Sequence, residues 1–185
     1  SMLIEGSPMK AWWAKQSTDT AFKFASAVRQ GVAQSETLNQ IFKRVNETTN
    51  LANRNSIALV HTSVMQVIND ANVAVLEKNA DIAPTMRYLA TLDSHTCPRC
   101  APRDGLEWDT LTHKSVDHDL AYIQPPIHVG CRCKMIPVTR LTKRADELGI
   151  GQRASSIGPV ARTTTFSDFL ARQSPEWQDS VLGKG

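Results

Sequence analysis

The sequence predicts an α+β protein: a mainly helical domain, a small β/loop module stapled by a Cys/His zinc site, and short C-terminal helices. Three observations predict it. Apolar residues recur at helical spacing through the first two-fifths of the chain. That pattern stops at Pro84, where short, part-alternating runs begin among turn residues. All four cysteines then fall within residues 97–133.

The helical part comes first. Ala21, Phe24, Ala25 and Val28 predict a helix over 19–30, with Gly31 as its stop. Ser35 is placed to cap a second helix, over 35–48, whose apolar face is Leu38, Ile41, Phe42 and Val45. A longer helix is expected from Ser56 to Leu76, carrying Ile57, Val60, Val64, Val67, Ile68, Ala71 and Val75 on a stripe that needs a covering partner.

Beyond Pro84 the expected elements are short. Met86–Leu92 reads as a strand, Asp104-Gly105 as a hairpin-type turn, and Leu106–Trp108 as the resumed strand. Residues 109–124 read as polar loop, and Lys134–Val138 as a last short strand. Residues 150–164 read as loop or linker. Thr165 with Asp168 forms a capping box for one short helix, and Ser174-Pro175 starts another. The domain reading is a helical region over 1–84, a Cys/His module over 85–145, and a linker with C-terminal helices over 146–185.

Composition bounds the function. At 185 residues the chain can bury one good core and a small satellite. Its 41% hydrophobic and 21% charged residues are ordinary for a globular protein. No apolar run reaches the roughly 18 residues of a membrane span, and no signal segment opens the chain, so no membrane partner is expected. The opening Ser1-Met2 reads as a cloning remnant, with further protein expected upstream. The net charge of +3 is too small to define a nucleic-acid binder. Residues 85–145 nevertheless carry nine Lys/Arg against six Asp/Glu, with Arg99, Arg103, Arg132, Lys134, Arg140, Lys143 and Arg144 near the cysteines. Such a basic skin suits a solvated surface or contact with phosphates, which keeps DNA as a further candidate partner.

The chemistry lies in Cys97-x2-Cys100, twenty-seven residues, then His128-x2-Cys131-x-Cys133. Clustered cysteines without a signal segment suit a reduced compartment and a metal site better than a disulfide framework. Zinc takes four tetrahedral thiolate and imidazole ligands. The Cys97/Cys100 turn offers two sulfurs from one knuckle, and His128 with Cys131 offers a second knuckle of the same spacing. Cys133 is a fifth candidate, able to replace His128. Three other readings are weighed. A redox Cys-x2-Cys pair wants a βαβ frame, and Pro102 and Asp104-Gly105 follow here instead. A disulfide between the two cysteine groups would need an oxidising setting. A catalytic zinc would need an open position for water, with Asp93, His95 and Asp104 as nearby acid-base candidates. Five ligand candidates favour a closed site, and acids beside turns more often serve as caps.

Thr91-Leu-Asp-Ser-His-Thr-Cys-Pro-Arg-Cys100, Asp104-Gly105 and Pro125-Pro126-x-His128-x-x-Cys131-Arg-Cys133 together resemble the head-morphogenesis (phage Mu protein F-like, minor capsid) family of tailed bacteriophages. His61-Thr-Ser through Ala71-Asn-Val-Ala is similar to that family's long helix, with His61-Thr62-Ser63 standing where Arg-Thr-Glu is common. Phe166–Gln173, Trp177-Gln178 and Val181-Leu-Gly183 are similar to its C-terminal helix. The likeness spans roughly residues 50–183. It implies a minor head protein with a structural zinc, acting in head morphogenesis with phage portal and capsid proteins as partners. It implies a location in the virion, at the capsid interior or portal vertex, and in the bacterial cytoplasm during assembly. Some relatives travel with the genome, so a packaged or ejected DNA-binding or zinc-dependent nuclease effector is the alternative. Relatives often replace the last cysteine of the Cys-Arg-Cys block, which makes Cys133 the least necessary ligand. No nucleophile–base pair, phosphate-cradling glycine loop or ADP-ribosylation motif is recognisable, so no enzymatic activity is expected.

Overall fold

The computed structural model describes Leu3–Ile4, Ser7–Pro8, and residues 18–49 and 53–182. It is α+β. The chain forms two compact units, Ser1–Asp70 with Pro125–Arg132, and Ala71–Gln124 with Cys133–Gly185.

In the first unit, strands β1 (Leu3–Ile4) and β2 (Ser7–Pro8) pair antiparallel. Helices α1 (Thr18–Ala33) and α2 (Leu38–Thr49) follow, then α3 (Asn53–Lys78), which continues into the second unit. Phe24, Ala27 and Val28 of α1, Ile41 and Val45 of α2, and Val60 and Val64 of α3 form one buried cluster. This is the amphipathic packing that the sequence periodicity predicts.

Two details of α1 and α2 differ from the sequence reading. Gly31 lies inside α1 and does not end it. A Cβ at this position would stand 2.5 Å from Ile41 Cγ1, so the missing side chain is what admits α2. Ser35, with φ 55°, belongs to the connecting turn, and Thr37 caps α2 instead. Gln40 N–H donates to Thr37 Oγ1 at 3.4 Å, and Thr37 N–H donates to Gln40 Oε1 at 2.7 Å. This reciprocal pair satisfies two donors that the first helical turn leaves open.

On α3 most of the predicted stripe is uncovered. Val60 and Val64 are buried and Val67 half-buried, whereas Ile57, Ile68, Ala71 and Val75 are exposed; Val73 and Leu76, off that stripe, are buried instead. Buried positions include polar ones as well. Asn69 is fully buried and donates to Met65 O at 2.9 Å.

The second unit holds an antiparallel sheet in the order β5-β4-β3-β6, made of β3 (Thr85–Leu89), β4 (Glu107–Asp109), β5 (Ser115–Val116) and β6 (Lys134–Val138). β3 pairs Met86 with Trp108 on one side and Tyr88 with Met135 on the other. Met86, Tyr88, Trp108, Met135 and Val138 are buried. β3 ends at Leu89, earlier than Leu92, because the next amide, Ala90 N–H, donates to the Asp104 carboxylate at 2.8 Å and not to a strand. Asp104-Gly105 is therefore no tight hairpin. Residues 90–106 make a wide excursion, and Gly105, at φ 84°, returns it to β3 through a 2.9 Å bond to Tyr88 O.

Helix α4 (Arg140–Glu147) was not foreseen, since Thr142 is its sole buried residue and it shows no apolar stripe; Thr139 caps it. The expected loop at 150–164 contains a hairpin of β7 (Gln152–Ser155) and β8 (Gly158–Ala161). Both strands are at most half-buried, so hydrophobic alternation could not reveal them. Helix α5 (Phe166–Ala171) carries the predicted Thr165/Asp168 capping box, and α6 (Pro175–Leu182) follows Ser174. Phe166 and Phe169 bury themselves with Leu92 in a second small core of this unit.

Candidate metal centre

The excursion between β3 and β4 carries the first knuckle. Asp93 Oδ1 accepts the His95 N–H at 2.9 Å, and Thr96 Oγ1 donates to Thr91 O, which closes a tight loop before Cys97. Cys100 N–H and Ala101 N–H both donate to Cys97 O at 3.0 Å. A 3-10 turn over Ala101–Arg103 follows, with Pro102 near its start. This turn, in an antiparallel sheet, is no redox βαβ frame. Tyr88, fully buried on β3, donates its O–H to Cys100 Sγ at 3.4 Å. A donor aimed at sulfur stabilises a thiolate.

The second knuckle follows the buried Pro125, Pro126 and Ile127. Cys131 N–H donates to His128 O at 3.2 Å. Gly130, at φ 76°, gives its N–H to Thr62 Oγ1 at 2.8 Å, while that hydroxyl donates to Ala58 O at 2.6 Å. The buried Thr62 thus anchors the knuckle to a turn of α3. His128 Nδ1 lies 2.9 Å from Val129 O; a carbonyl can only accept, so Nδ1 carries a proton, which in a neutral ring leaves the lone pair on Nε2. A backbone carbonyl that fixes the tautomer in this way is a common support for a ligating histidine.

No disulfide joins any of the four cysteines, and Cys100, Cys131 and Cys133 are buried. Two groups of side chains could hold a metal ion: Cys97, Cys100 and His128, and Cys100, Cys131 and Cys133, with the ligand atoms of each group within 4.8 Å of one another. Each group offers three ligand atoms and Cys100 belongs to both, one short of the four that a tetrahedral zinc takes. Soft thiolates with imidazole fit zinc.

His113 and His118 are engaged elsewhere. His118 Nε2 donates to Glu107 O at 2.8 Å and packs edge-on against Trp108. His113 stacks on Tyr122 with centroids 4.2 Å apart. His61, on α3, is half-buried, and its Nδ1 is buried without a hydrogen-bond partner. Burial holds its pKa below the ordinary imidazole value; the Arg132 guanidinium adds to this, and Cys131 opposes it. Asp104 is no acid-base group. Its fully buried carboxylate accepts Ala90 N–H at 2.8 Å, Phe166 N–H at 2.7 Å and two bonds from Arg153.

The sequence reading gave no part to Thr62 or Arg153. The Thr at the centre of His61-Thr62-Ser63 was the one signal for the first; nothing local marked the second.

This is a small α+β chain with two cysteine/histidine knuckles, one of them anchored on a long helix, whose side chains form groups that could hold a metal ion. The Phage Mu protein F like family model matches residues 23–136, and the chain belongs to that family, which associates it with phage heads. No curated protein and no solved structure gives a significant match. Among the described residues, no helix is long and apolar enough to cross a membrane.

Proposed function

We propose that this chain is a minor head protein of a tailed phage, incorporated during head morphogenesis and staying in the virion at the capsid interior or portal vertex. Its partners are the portal and capsid proteins of that phage. The observation that carries the reading is the family match over residues 23–136, which includes both knuckles. One zinc ion, held by Cys97, Cys100, His128 and Cys131, with Cys133 as the alternative to His128, completes the fold. Cysteines that form no disulfide and lie in mutually close groups support this, together with the His128 Nδ1 hydrogen bond and the Tyr88 donor. The role of the metal is structural: it ties two chain segments far apart in sequence, as structural zinc does in small modules.

Co-expression with the portal and major capsid proteins of the phage that encodes it, followed by purification of assembled heads, tests the assembly reading. The chain should co-purify in few copies per head; heads that assemble normally and exclude it would overturn the proposal. Elemental analysis of protein purified without chelator should give near one zinc per chain, and near zero in reduced, folded protein would overturn the metal assignment.

A further inference from the structure

We infer that His61 is an outer partner of the metal centre, donating its Nδ1–H to the Cys131 thiolate when the metal is bound. The inference rests on the zinc reading above and adds a residue to it that ligand spacing cannot reveal.

The first observation is the ring itself. Its Nδ1 is buried and has no hydrogen-bond partner. A buried polar atom in that state loses its bonds to water and gains none in return, and such atoms are rare in folded proteins unless something else completes them. The second is position. Thr62, the next residue on α3, holds Gly130 N–H at 2.8 Å, which pins the backbone next to Cys131 against the same helical turn. Cys131 and Arg132 are close enough to bias the ring, Arg132 against its charged form and Cys131 towards it. The third is chemistry. Metal binding removes the thiol proton, so the Cys131 sulfur becomes a pure acceptor carrying negative charge. A neutral imidazole supplies one N–H, and that N–H then meets an acceptor stronger than any in the metal-free protein. Tyr88 already donates in this way to Cys100 at 3.4 Å, so the two knuckles would each have one thiolate with a side-chain donor. His61 belongs to neither group of candidate ligand atoms, which makes it a positioning residue and not a ligand.

Full-length wild type, His61→Ala, His61→Asn and His61→Phe are compared by competition for zinc against a chromophoric chelator, with circular dichroism of the loaded proteins as the fold control. His61→Ala and His61→Phe should each bind one equivalent with affinity reduced about 10–100-fold, the usual cost of losing an outer-shell partner. His61→Asn, which keeps a donor near the Nδ1 position, should recover most of that loss. Long-range 15N correlation on zinc-loaded wild type should show the His61 proton on Nδ1. Wild-type affinity in His61→Ala, or a proton on Nε2 in the loaded wild type, overturns the inference while leaving the zinc site standing. If the variants fail to fold, the tautomer in wild type decides alone. Wild type that takes up no metal removes the zinc reading and this inference together, a result distinct from equal affinities.

Discussion

Arg153 lays its guanidinium across both carboxylate oxygens of Asp104, at 3.0 Å and 3.1 Å, in a place where the Asp104 side chain is fully buried. The planar fork of arginine matches a carboxylate at both oxygens. The same guanidinium donates to Thr164 O at 2.9 Å and to Ala90 O. Asp104 in turn accepts the amides of Ala90 and Phe166. One buried ion pair therefore joins the end of β3, the return of the cysteine excursion, the β7–β8 hairpin and the start of α5.

Asp104→Ala should consequently destabilise the protein by about 3–5 kcal/mol, the usual cost of leaving one member of a buried pair uncompensated. Arg153 would lose its carboxylate partner and two amides their acceptor at once. Denaturant unfolding of the two proteins under identical metal conditions gives the comparison. A loss below about 1 kcal/mol would mean that water or another acceptor replaces the carboxylate.

Gly31→Ala separates helix propensity from packing. In an open helix the change would stabilise by about 1 kcal/mol. Here the new methyl would meet Ile41 Cγ1 at 2.5 Å, near the root of a fully buried side chain. Overpacking of this kind costs about 1–3 kcal/mol, so the net effect should be a lower melting temperature. A rise in melting temperature would show that α2 moves away at little cost.

These two sites show what the sequence made legible. The helical spacing of Phe24, Val28, Ile41 and Val45 was readable because burial follows a period of 3.6. The Thr165/Asp168 box and the Cys97/Cys100 knuckle were readable because both are local chemistry at fixed spacing. Thr37-x-x-Gln40 was equally local, yet Ser35 drew the reading because it too is a good cap residue. Asp104 was readable as a turn residue, but its pairing with Arg153 joins positions 49 apart in sequence, and no periodicity encodes that. Helix α4 and the β7–β8 hairpin lie at the surface with few buried residues, so the patterns that report burial had nothing to report there.

The proposed ligand set predicts an order of damage among cysteine variants. Structural zinc contributes on the order of 10 kcal/mol of apparent folding energy in small modules. Cys97→Ser and Cys131→Ser, each removing a core ligand, should lower the melting temperature far more than Cys133→Ser. Thermal unfolding with stoichiometric zinc measures this directly. Equal losses for Cys131→Ser and Cys133→Ser would identify a four-cysteine site, and His128→Ala would then be mild.

The last prediction is that the purified protein does not cleave single- or double-stranded DNA or RNA in a metal-dependent way. A hydrolytic zinc needs an open coordination position for water and a general base within hydrogen-bond reach of it. Three acid-base candidates lie near the cysteines, and two of them are committed to local structure. Asp104 is fully buried and spends its carboxylate on Arg153 and two backbone amides. Asp93 Oδ1 accepts the His95 amide at 2.9 Å, the local side-chain-to-backbone bond that acids make in turns. His95 is exposed, with Nδ1 3.4 Å from Ser94 Oγ, an arrangement that holds the ring only loosely. Five candidate ligands in two short knuckles also favour a filled tetrahedron over one with a water position. Plasmid nicking and oligonucleotide cleavage assays with the zinc-loaded chain should therefore match the buffer control. Cleavage that disappears in Asp93→Ala or His95→Ala, with fold and zinc retained, would show that the centre is catalytic and that the chain is a nuclease carried by the head.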